Sequence, residues 1–108
     1  MNQSLIIISK AAQSAKGTAL LCSNDVEDLL EYLDDKITEF QSVEAYECRG
    51  EKEVLRIDYS ILGLDKKPHD ECCGDVEWSR RLLSKILAAA KEEANPIKFQ
   101  IWTKTHKT

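Results

Sequence analysis

The sequence predicts an α+β fold: a two-layer sandwich in which a mostly antiparallel sheet carries two helices on one face. Three observations carry this expectation. Asn24 to Phe40 and Asp75 to Asn95 each place apolar residues three and four apart, the spacing of one helix face. Glu53 to Leu62 alternates apolar and polar residues, the spacing of a strand with one wet side. The other apolar runs are short and are bounded by polar or turn-forming residues, which suits strands between the helices.

Taken in order, Leu5-Ile6-Ile7-Ile8 is apolar on consecutive positions and reads as a strand buried on both faces. Thr18 to Cys22, following Gly17, reads as its hairpin partner. In the first helix Val26, Leu29, Leu30, Leu33, Ile37 and Phe40 form the stripe, and Asn24 with Glu27 has capping-box spacing. Val43 to Arg49 and Glu53 to Leu62 form a second hairpin around Gly50. Its second strand turns Leu55, Ile57, Tyr59 and Ile61 inward and Arg56, Asp58 and Ser60 outward. Gly63 to Gly74 has turn chemistry.

The second helix gathers Val76, Leu82, Leu83, Ile86, Leu87 and Ala90 on one arc. Asn95-Pro96 ends it, because the residue before proline avoids helical backbone. Ile97, Phe99 and Ile101 alternate with Lys98, Gln100 and Trp102 in a last strand. The order is β-β-α-β-β-α-β in a single domain of residues 1–103, with 104–108 as a disordered tail. Without its first strand this is the split-βαβ order, ferredoxin-like or related. Cys22 to Glu27 and Cys72 to Glu77 agree at four of six positions where the two helices begin. That fits either a ββα unit used twice or two similar helix starts.

At 108 residues, 43% hydrophobic and 31% charged, the chain can bury a core without a metal or a disulfide. The formal charge of −4 disfavours nonspecific binding to nucleic acid and to anionic membranes. Met1-Asn2-Gln3-Ser4 carries no Lys or Arg, and the apolar run behind it is too short for a signal core or a membrane span. The expected compartment is therefore the cytoplasm, with the four cysteines as reduced thiols.

No phosphate-binding glycine loop, dinucleotide fingerprint or His-Glu-x-x-His is present. His106 falls in the tail, which leaves His69 as the histidine a site could hold. It opens the stretch His69-Asp70-Glu71-Cys72-Cys73, whose thiols precede a helix N-terminus that favours thiolate. Thiolates and an imidazole suit zinc or copper(I), with Cys22 or Cys48 needed to complete a site. Against this, adjacent cysteines do not readily share one tetrahedral centre, and an inert loop accounts for the same residues. Cys22 itself, beside Leu21, reads as a small core residue.

The first helix carries Asp25, Glu27, Asp28, Glu31, Asp34, Asp35 and Glu39 away from its apolar stripe, opposed only by Lys36. A field of one sign steers a basic partner, while the plainer reading is a solvated face. On the second helix Arg80, Arg81, Lys85 and Lys91 make the outer arc mildly basic. The uncovered sheet face would present Arg56, Asp58, Ser60, Lys98, Gln100 and Trp102, a surface for self-association or for packing Trp102 beneath the tail. Trp78 is expected to pack on the loop before it.

The sequence thus points to a small non-catalytic binding module of the inhibitor, immunity-protein or adaptor kind. Its basic protein partner would meet Glu27, Asp28, Glu31, Asp34 and Asp35. The alternative is metal- or thiol-dependent function at His69, Cys72 and Cys73, with zinc as the metal.

Overall fold

The structure, a computed structural model, describes residues 3–33, 38–63 and 75–105. It is an α+β fold with three helices and a five-strand antiparallel open sheet. In chain order the elements are α1 (Gln3–Ala12), β1 (Leu21–Cys22), α2 (Ser23–Tyr32), β2 (Thr38–Arg49) and β3 (Lys52–Leu55). A 3-10 turn (Ile57–Tyr59), β4 (Ile61–Leu62), α3 (Asp75–Ala90) and β5 (Ile97–Thr105) follow. No helix among the described residues is long and apolar enough to cross a membrane.

The strands lie in the order β1-β5-β2-β3, with β4 also pairing β2. β5 therefore separates β1 from β2, and β2 separates β3 from β5. Both βαβ connections are split by one antiparallel strand, as the expected order requires. The ferredoxin-like order splits its first unit with the third strand. Here the last strand does so, which makes the fold a relative of that arrangement.

The core forms between the helices and one sheet face. Val26 and Leu29 of α2 and Leu83 of α3 meet Val43, Phe99 and Ile101 of the sheet, all fully buried. Complete burial of one such side chain is worth about 1.5–3 kcal/mol. A register shift between Phe40 and Ser42 sets Gln41 apart as a bulge. Phe40 and Val43, three residues apart, can then both face inward. The backbone N–H of Phe40 donates to Ser79 Oγ on α3 at 3.0 Å, which ties the bulge to the helix layer.

Several expectations are corrected. Leu5 to Ile8 lies in α1, a helix, where Ile8 and Ala12 four residues on pack inward and Ile7 is exposed. The first long helix ends at Tyr32, so Glu39 and Phe40 belong to β2, and Glu39 is buried. At the end of α2 the Arg80 guanidinium, reaching from α3, donates to the carbonyls of Leu30 and Leu33. Carbonyls in the last turn of a helix are the ones that its own N–H groups do not reach. Arg80 also stacks over the Phe40 ring, 5.7 Å from its centroid.

The alternating strand from Glu53 to Leu62 is broken by the 3-10 turn, and Leu55 and Ile57 point to solvent. β5 runs on to Thr105, so Lys104 and Thr105 are paired with β2 and do not belong to a tail. The second helix stops at Ala90, five residues before Asn95.

Candidate functional site

α2 presents its carboxylates as the amphipathic pattern requires. Val26, Leu29 and Leu30 are buried, while Asp25, Asp28 and Glu31 are exposed on the other side. Glu27 is half-buried and forms an ion pair with Lys91 beyond the end of α3. Asp34 and Asp35 lie outside the described residues. Glu39, on β2, contributes nothing to this face.

The thiol alternative is centred beyond the described residues. His69, Cys72 and Cys73 lie outside them, as does the loop expected to receive Trp78. Cys22 is exposed at the N-cap of α2, which corrects its reading as a core residue. Cys48 is a half-buried free thiol on β2. β5 runs between the strands that carry Cys22 and Cys48, so the two thiols do not converge. Among the described residues no three His, Cys, Asp or Glu side chains gather in a metal-binding group.

The outer sheet face shows Glu44, Tyr46, Gln100 and Trp102 half-buried and Lys98 exposed. Arg56 and Ser60, expected there, are occupied elsewhere. Ser60 Oγ accepts from the Ala45 N–H and donates to the Arg56 carbonyl, which locks the 3-10 turn onto β2. Trp102 packs on the segment after α1, its Nε1 donating to the Ala15 carbonyl at 3.1 Å. An added Cβ at Gly17 would lie 2.5 Å from the ring.

One cluster was invisible to sequence reasoning. Glu47, with a side chain only 8% exposed, accepts from Arg49, Arg56 and Asn95. Arg56 also bridges to Asp58 and to Glu93, and lies over the Tyr59 ring at 4.9 Å. The network fastens the 3-10 turn to β2 and to the segment following α3. It joins residues up to 48 positions apart, and its local signals are the two-residue spacings of Glu47 with Arg49 and of Arg56 with Asp58.

The Arg49 guanidinium, then Asn95 and Arg56, hold the Glu47 carboxyl down to about 2. Arg56 also lowers Asp58. A carboxyl whose folded value lies below its unfolded one stabilises the fold above the unfolded value. It loses that contribution as pH falls through the folded value. Urea stability is therefore expected to decline as pH drops from about 4.5 towards about 2, and Glu47→Gln should flatten that part of the profile. A Glu47→Gln profile parallel to the parent's over that interval would show that the carboxylate is not coupled to folding.

Solvent-open depressions are lined by the described residues in several places. One of about 480 Å³ lies between the start of α2 and the chain after α3, beside Cys22, Lys91 and Asn95. Another of about 490 Å³ runs between α2 and α3, beside Leu30, Arg80, Arg81 and Lys85. A third, about 260 Å³ and mostly apolar, lies at the sheet edge beside Leu55, Ile57 and Leu62. None holds a nucleophile, base and orienting group within hydrogen-bond reach of one another among the described residues.

No family profile matches the chain, and no solved structure matches it. It is similar over 69 residues to acetolactate synthase 3, chloroplastic, of Brassica napus, at 32% identity. The same length matches acetolactate synthase, chloroplastic, of Arabidopsis thaliana, also at 32% identity. The matched stretch is 64% of this chain and 10% of each enzyme. The chain thus spans about a tenth of the length of the curated relatives it matches.

Proposed function

We propose that the protein is a small non-catalytic binding module that meets a basic protein partner through the outer face of α2. The observation that carries this reading is the exposure of Asp25, Asp28 and Glu31 on a helix whose apolar face is fully engaged by the core. Charges placed this way speed encounter and select partners, while screened surface pairs add little affinity each. The contact is of the kind used by acidic inhibitors, immunity proteins and adaptors. Cytoplasmic residence suits the free thiols Cys22 and Cys48. Acetolactate synthesis is not carried across from a stretch that covers a tenth of the enzymes named.

The test is a charge reversal of Asp25→Lys, Asp28→Lys and Glu31→Lys together, with folding checked by circular dichroism. Capture of basic proteins by the immobilised chain at low salt is expected to fall about tenfold. Captured material unchanged in amount and in salt sensitivity would retire the proposal.

A further inference from the structure

The described residues include four large hydrophobic side chains that are strongly exposed, and three of them, Leu55, Ile57 and Leu62, share one sheet edge. They are 48%, 78% and 81% exposed and surround the 260 Å³ groove, with buried Val43 and half-buried Ile61 beneath. Clustered exposure of this kind marks an interaction surface, whereas scattered apolar residues do not. The volume falls below the ~300–1,000 Å³ typical of small-molecule sites and suits one large side chain.

The edge itself narrows the choice of occupant. β3 has four residues and β4 two, with the 3-10 turn between them, so another sheet finds no long backbone edge to extend. Affinity must come from an inserted side chain. Among the described residues the surroundings are acidic. Glu44 lines the groove, Glu53 shares the strand face of Leu55, and Asp58 is 57% exposed beside Ile57. The phenol of Tyr46 is raised, chiefly through its hydrogen bond to Glu44 and then by burial, with smaller contributions from the charges of Glu44 and Glu53. Arg56 is spent on Glu47, Asp58 and Glu93, and Lys98 lies on β5, across β2 from this edge. A two-fold pairing of two copies here would set this acidic rim against itself, and a stable pair needs about 1,200–2,000 Å² of buried surface.

We propose that the groove between Leu55, Ile57 and Leu62 is a second protein-binding site. Its occupant is a partner segment with a large apolar side chain flanked by Lys or Arg. The site is separate from α2 and does not depend on the proposal for that helix.

Two labelled synthetic peptides test it by fluorescence anisotropy, both with a Leu-Ile-Leu centre, one flanked by lysines and one by glutamates. The lysine-flanked peptide is expected to bind about tenfold or more tightly than the other. The double variant Ile57→Asn, Leu62→Asn should weaken it about tenfold. Both positions are surface-exposed, so the fold is expected to survive, and circular dichroism verifies this. Because α2 also attracts cations, the α2 charge-reversed variant is titrated alongside and is expected to keep its affinity. Equal affinity for the two peptides, no binding, or loss in the α2 variant would overturn the proposal. So would self-association by sedimentation that the groove variant abolishes, since the occupant would then be a second copy.

Discussion

Replacing Phe99 with alanine is expected to lower the unfolding free energy by about 3–5 kcal/mol. Phe99 is fully buried on β5, paired with Ala45 on one side and Leu21 on the other. It belongs to the same core cluster as the buried residues of α2 and α3, at the middle of three strands. Ala45 is itself too small to close the void left behind. Domains of this kind have about 5–15 kcal/mol in total, so the variant should lose a large share of its stability. Urea titration would show a midpoint moved strongly downward at a little-changed slope. A loss under about 1 kcal/mol would mean that the centre of the sheet is not packed as described.

The second large effect is expected at Gly17, which has φ +70° and carries the Trp102 ring where a side chain would be. Alanine there meets two costs, about 1–2 kcal/mol for the left-handed backbone and a clash with the indole. The ring cannot withdraw without breaking its bond to the Ala15 carbonyl. Gly17→Ala should therefore destabilise the fold by about 2–4 kcal/mol and shift tryptophan emission to longer wavelength. Gly50 provides the comparison, since its φ is +62° but a Cβ there meets nothing within 4 Å. Gly50→Ala should show the backbone cost alone and leave the emission unchanged. Identical behaviour of the two variants would remove the indole contact from the account.

The fold class was legible because its two principal helices have wide, regular apolar stripes. Val26, Leu29, Leu30 and Leu33 are buried as their spacing requires, and so are Leu83, Ile86, Leu87 and Ala90. The run Leu5 to Ile8 misled because four consecutive apolar residues fit a buried strand and a helix equally well. The Ser-Lys-Ala-Ala that follows, with its helix propensity, was the deciding context.

Phe40 fell in step with the helix period by coincidence, and the cap supplied by Arg80 from α3 is not encoded nearby. The alternation of Leu55, Ile57, Tyr59 and Ile61 was genuine in the sequence. Tertiary contacts overrode it when Arg56 turned towards Glu47 and Glu93. For the same reason the edge groove could not be foreseen. The period places Leu55 and Ile57 in the core, and only the broken strand leaves them outside.

The position of β5 sets a condition on how the protein can be made. Its pairing partners, β1 and β2, are translated well before it, yet neither touches the other without it. On the ribosome the emerging chain can build the β2–β3 hairpin and the helices. Leu21, Val43 and Ala45 then wait without their neighbours until Ile97 to Thr105 clears the exit tunnel. Closing the sheet from its middle joins segments more than seventy residues apart at β1. That places folding after synthesis of this strand and among the slower topologies, with apolar surface open to chaperones in the interval.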